Sequence, residues 1–390
     1  MPPPPGYAAP PPGYAAPPPG YGGPPPGWTP PPKPGLIPLA PLGLGGILGG
    51  SFRVLRRNPG PVVGVSLVIH VILALISIGT TLLFTQAALN KYFDVLSTAE
   101  TSGQLSTSSV SAAISSLLVA AGTGLVSGIF TYAGQAILQG IITTEVARGT
   151  LGEKLPLRAL WARARGRILP LLGWAGLVIV ISFGAFVIVF GGVAILFAVG
   201  GATGVIVGGI LLVVVTLGAI VIGIWLWTKL SLVPSALVIE RLKLGAAVKR
   251  SWSLVRGFFW RTFGIELLVA VMLAIAASII ESPIALIITF GNLASNPTGL
   301  SDSATALASV SSVSTIVTTA IDAIIATVTA IVTTASTALI YIDLRMRKEG
   351  FDLTLMRYVD ERAAGGSPAD PFLTADSIGA TSAGDASASA

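Results

Sequence analysis

The chain has 390 residues, of which 53% are hydrophobic and only 10% charged, with a formal net charge of +6. Soluble domains carry about 25% charged residues, so most of this chain does not face water. There is no cysteine and a single histidine, which excludes disulfides, thiolate metal sites and cysteine nucleophiles and argues against a zinc or haem centre.

The chain begins MPPPPGYAAPPPGYAAPPPGYGGPPPGW, without the basic start and early apolar core of a signal peptide. The pairs Gly6-Tyr7, Gly13-Tyr14, Gly20-Tyr21 and Gly27-Trp28 recur on a proline scaffold with a period of seven. No core can form from this composition. Residues 1–34 therefore read as a disordered cytoplasmic tail, either a solvated spacer or a weak multivalent docking tail for a protein partner.

Leu44, Ile47, Leu48, Phe52 and Leu55 recur at helical spacing beside Arg53, Arg56 and Arg57. This predicts a short helix lying in the membrane interface. Asn58-Pro59-Gly60 then turns the chain. Six transmembrane helices are predicted, at about 61–86, 112–142, 169–199, 203–228, 263–290 and 312–342, since about 20 apolar residues cross the hydrocarbon. Residues 35–358 form this six-span domain. The segment 351–359 reads as a further interfacial helix, and 359–390 as a small, polar, disordered tail.

One side of this topology collects the N-terminus, the loops near 143–168 and 229–262, and the C-terminal tail. It holds every Lys and Arg except Lys91. The basic residues therefore predict a multi-pass plasma-membrane protein with both termini cytoplasmic. The Ala/Gly/Val-rich composition fits a bacterial protein from a GC-rich genome.

An aromatic residue, an Arg and a Gly recur at constant offsets: Phe52/Arg56/Gly64, Trp161/Arg165/Gly173 and Trp252/Arg256/Gly264. Each triplet opens a pair of spans. An acid–Arg pair closes each: Glu145 with Arg148, Glu240 with Arg241, Asp343 with Arg345. The fold expected is all-α, a polytopic membrane protein of three helical hairpins, each preceded by a cytoplasmic interfacial helix. Positions i and i+4 share a helix face, so the aromatic can settle at headgroup level while the Arg reaches lipid phosphate or a carboxylate. In the middle copy Leu157, Leu160, Trp161, Ala164 and Ile168 line one side and Arg158, Arg163, Arg165 and Arg167 flank it. Anionic lipid attracts such segments by about 1 kcal/mol per basic residue.

Polar groups within spans are costly. His70 lies in the first span, Glu281 in the fifth and Asp322 in the sixth, the last two toward the outer side. They would serve an ion path or headgroup site, or simply structure: His70 bonding across the bundle, Glu281-Ser282-Pro283 marking a helix break, and Asp322 bonding neighbouring hydroxyls.

Three stretches, PLAPLGLGGILGGSFRVLRRNPGPVVG (38–64), VPSALVIERLKLGAAVKRSWSLVRGFFWRTFG (233–264) and ALIYIDLRMRKEGFDL (338–353), resemble the membrane domain associated with bacterial glycerophosphoryl diester phosphodiesterases. The likeness covers about residues 38 to 358. It implies a multi-span membrane protein with lipid-linked neighbours. In fused members the hydrolase is a separate soluble barrel that needs two histidines and acidic metal ligands. This chain has His70 alone, so no catalytic residue carries over. The expectation is a non-enzymatic protein without cofactor that binds anionic membrane lipids or scaffolds a membrane partner, and no nucleic acid. The alternative is a transporter or channel component using Glu281 and Asp322.

Overall fold

The computed structural model describes residues 35–80, 107–199, 201–295 and 304–373, and their regular structure is helical. In chain order the helices are α1 (Leu44–Arg57), α2 (Gly60–Thr80), α3 (Thr107–Thr150), α4 (Leu157–Val199), α5 (Gly201–Leu230), α6 (Val233–Ile239), α7 (Leu244–Val255), α8 (Phe259–Ser295), α9 (Ala304–Glu349) and α10 (Phe351–Ala363). Among the described residues six stretches are long and apolar enough to cross a membrane: Gly60–Thr80, Gly122–Thr150, Leu157–Val189, Val207–Ile239, Phe259–Gly291 and Ile316–Glu349. The chain is thus an all-α polytopic membrane protein, with each expected span overlapping one of these. The proline-rich tail of residues 1–34, and the end of the first expected span at 81–86, lie outside the described residues.

The spans bury little of themselves. In the most apolar stretches of α4 and of α5–α6, only 6% of residues are covered by protein. Val180, Ile188, Val221, Ile287 and Phe290 stand exposed. Lipid is as apolar as these side chains, so hydrophobicity does not drive the spans together. The packed core lies instead at the basic end. α9 has 46 residues, about 69 Å at 1.5 Å per residue, against ~30 Å of hydrocarbon. Its last turns therefore extend past the apolar layer. There Ala338, Leu339, Ile340, Tyr341, Ile342 and Leu344 are enclosed by α1, α3, α6, α7 and α10.

The first expected interfacial helix forms as α1, but its buried face is not the expected one: of Leu44, Ile47, Leu48, Phe52 and Leu55 only Ile47 is buried. Ile47, Gly50, Ser51 and Val54 make its buried stripe, while Phe52, Arg53 and Arg56 face outward. Gly50 packs closely, since a Cβ there would stand 2.7 Å from Leu339 Cδ1 and force that side chain to shift. Just upstream, Leu36 N donates to Gly149 O at 2.9 Å. Gly35 takes a left-handed φ of +43° beneath that carbonyl.

The other two interfacial helices differ from expectation. The middle one is not separate: α4 runs unbroken from Leu157 through Pro170 to Val199. Its buried contacts are Leu160 and Ala164 against Ile141, whereas Leu157 and Trp161 are exposed. The third, α7, ends at Val255, with Arg256 already extended (φ −61°, ψ 122°) and Gly257 at φ +88°. Arg256 therefore lies beyond the helix instead of one turn along its face. The expected 229–262 loop contains α6, a short helix whose Val233, Ala236, Leu237, Val238 and Ile239 are all buried. The C-terminal tail is ordered further than expected. After α10 the chain returns to seat Phe372 in the core, 5.5 Å from the Phe351 ring. Residues 374–390 of that tail lie outside the described residues.

Candidate functional site

The basic end carries three buried acids, one at the basic end of each expected hairpin. Glu145, Glu240 and Asp343 are 1%, 1% and 0% exposed. None is held by the neighbour expected from sequence. Asp343 and Arg345, two apart on α9, point in different directions, and Arg241 follows the end of α6 in a left-handed conformation (φ +55°) that turns it away from Glu240. Arg148 could have met Glu145 across one turn, but it turns instead to Asp370 and Glu153.

Each acid is bound by groups distant in the chain. Glu240 accepts hydrogen bonds from Arg250 Nε at 3.1 Å and Nη2 at 2.8 Å, and from the Tyr341 hydroxyl at 2.5 Å. Arg345 Nε lies 3.2 Å away. Both arginines also reach Glu349, and Arg345 stacks 3.9 Å over the Phe351 ring. Burial lowers the pKa of Arg250, but its bonds to Glu349 and Glu240 outweigh burial and raise it above the ordinary value. Asp343 accepts from Leu42 N at 2.7 Å, Arg261 Nη2 at 2.8 Å and Arg347 Nε at 3.0 Å. Arg261 and Arg347 also donate to Leu42 O. Glu145 accepts from Asn58 Nδ2 at 3.2 Å. Beside it Arg57 donates to Gly149 O at 2.5 Å and Glu153 O at 2.8 Å. Burial holds the Arg57 guanidinium below its ordinary value, and the Glu145 carboxylate pulls the other way. Glu240 and Asp343 tie distant helices together through these bonds, whereas Glu145 keeps a buried Oε1 without a partner among the described residues. Tyr341, Arg250, Arg261 and Asn58 were not singled out from sequence. A lone Tyr beside Asp343 in an apolar run was the one visible signal.

The triplets are disposed differently. Phe52, Trp161 and Trp252 are exposed, as are Arg56, Arg165 and Arg256, and none of these arginines has a carboxylate partner among the described residues. Arg256 therefore does not meet Glu240. Trp252 is braced edge-on by Trp225 at 5.3 Å, with Lys229 Nζ 5.4 Å from its ring. The triplet glycines, Gly64, Gly173 and Gly264, make no close helix contact among the described residues.

Within the spans, His70 is buried. Its Nδ1 donates to Ser66 O at 2.8 Å, and its Nε2 lies 3.4 Å from Gln135 Nε2. Thr327 Oγ1 is 3.4 Å from Nδ1. This polar node ties α2, α3 and α9 together, the cross-bundle bonding expected of a lone histidine. Glu281 and Asp322 are exposed and not brought together in any buried site. Glu281-Ser282-Pro283 does not break α8, which continues to Ser295. Among the described residues no cluster of His, Asp and Glu could hold a metal ion.

The model of one family, described as a domain of unknown function (DUF7847), matches residues 42–344. The chain belongs to that family. The match spans the hydrophobic domain from α1 through most of α9, and its description links it to no phosphodiesterase-associated domain. No curated protein and no solved structure matches the chain.

Proposed function

We propose that this is a non-enzymatic plasma-membrane protein, both termini cytoplasmic, that holds anionic lipid headgroups at its basic end. The observation that carries this reading is the sorting of arginines. Arg57, Arg148, Arg250, Arg261, Arg345 and Arg347 are consumed by internal acids and carbonyls. Arg56, Arg165 and Arg256 are left exposed, each within a turn or so of an exposed aromatic residue. An aromatic ring at headgroup depth beside an uncommitted guanidinium suits a lipid phosphate.

Three such arginines at about 1 kcal/mol each give roughly a hundredfold preference for anionic over neutral lipid. The full chain would be drawn from nanodiscs of equal phosphatidylglycerol and phosphatidylcholine and weighed by native mass spectrometry. The Arg56/Arg165/Arg256→Ala variant should lose its excess of retained phosphatidylglycerol. Retention equal to wild type removes the reading.

A further inference from the structure

The first and third opening segments spend cations inside the protein, Arg57 on the backbone carbonyls of Gly149 and Glu153 and Arg250 and Arg261 on the buried acids Glu240 and Asp343. The middle segment spends none. Among the described residues Arg158, Arg163, Arg165 and Arg167 have no carboxylate within ion-pair distance. One of them, Arg163 of α4, shares a cleft with Arg148 of α3 and Arg241 of the turn after α6. The cleft is small and partly open, with Ile239 and Phe372 on its apolar side. Arg167 is close enough to Arg241 for their charges to repel.

Two features show that this cluster is built. Arg241 holds φ +55°, a left-handed conformation that costs a non-glycine residue roughly 1–2 kcal/mol and persists where the surroundings impose it. Consecutive side chains diverge there: Glu240 turns into the core and Arg241 lines the cleft. The second feature is an occupant. Asp370 of the C-terminal segment lines the same cleft and is paired with Arg148. It is held by its own chain, since Asp370 Oδ1 accepts from Phe372 N at 3.2 Å and Phe372 is 2% exposed. One carboxylate thus stands among three guanidinium groups. The other acid near Arg148, Glu153 at 4.0 Å, is also bound by Arg362.

We propose that this cleft is a binding site for a phosphate group, with Asp370 as the internal competitor that occupies it at rest. Planar guanidinium forks match phosphate oxygens bidentately. A phosphate carries more charge and more acceptors than the carboxylate it displaces. The site shares no residue with the exposed triplets and does not depend on them.

The test uses the full chain in a neutral detergent titrated calorimetrically with inorganic phosphate, and the same chain in nanodiscs with and without phosphatidic acid. Asp370→Asn is expected to tighten phosphate binding about tenfold or more, and Arg163→Gln or Arg241→Gln to weaken it about tenfold each. Phe372→Ala, which frees the segment without changing charge in the cleft, should act in the same direction as Asp370→Asn. A response to inorganic phosphate assigns a soluble phosphate ligand. A response only to phosphatidic acid assigns a lipid headgroup. Either supports the site. Arg163 is exposed, so loss of binding in Arg163→Gln with an unchanged melting curve reports the cleft and not the fold. The proposal is overturned if neither probe binds Asp370→Asn more tightly than wild type, or if affinity ignores Arg163→Gln and Arg241→Gln. The triple variant Arg56/Arg165/Arg256→Ala should keep phosphate binding, which separates failure of this site from failure of the lipid-facing triplets.

Discussion

Replacing Glu240 with Gln tests whether the buried acids lock the basic end. Gln keeps the size of the side chain and one acceptor oxygen, so the Tyr341 hydroxyl and one Arg250 nitrogen can still bond. What is lost is the charge that two guanidinium groups face. Arg250, with a side chain 23% exposed, is partly solvated and keeps Glu349. Arg345, at 6%, also keeps Glu349, and its Nη1 already lacks a partner. Removing one member of a buried ion pair costs about 3–5 kcal/mol. The surviving Glu349 contacts place this case near 3 kcal/mol on that scale. At about 2–4 °C per kcal/mol for a large domain, the melting temperature in detergent should fall by roughly 6–12 °C, followed by tryptophan fluorescence or by loss of the monodisperse peak on heating. A Glu240→Gln chain that melts within about 1 °C of wild type would refute the reasoning.

Gly35→Ala places a methyl 2.0 Å from Gly149 O on a backbone at φ +43°. It should destabilise by more than about 1 kcal/mol and speed proteolysis between residues 35 and 43, and equal cleavage rates would count against it. Glu281→Gln with Asp322→Asn alters two exposed side chains. A change within about 0.5 kcal/mol is expected, and a large fall in melting temperature would show that these acids carry buried structure.

The contrast between Glu240 and the spans shows what was legible. Six apolar stretches were readable because spanning a membrane depends on local length and hydropathy, and α1 as a helix because its period is local too, although of its expected apolar face only Ile47 is buried. Exposed Trp161 and Trp252 likewise followed from the placement of aromatics at boundaries. The partners of Glu145, Glu240 and Asp343 were not legible. A neighbouring Arg in sequence is plausible for each, but helix geometry points Arg345 elsewhere and the left-handed turn after α6 points Arg241 away. Asp370 and Phe372 sat in a stretch of small polar residues whose composition resembles a disordered tail. In the structure Asp370 pairs with Arg148 and Phe372 seats in the core.

By itself the sequence determined that this chain enters a membrane six times as helices and gathers its positive charge at one end, because lipid rewards apolar length and charge sorts by side wherever the chain crosses. Only the tertiary structure decided which arginines are spent on buried acids and which stay free. That allocation depends on where α1, α7, α9 and the returning C-terminal segment meet, and contacts between residues distant in the chain leave no periodic trace in it.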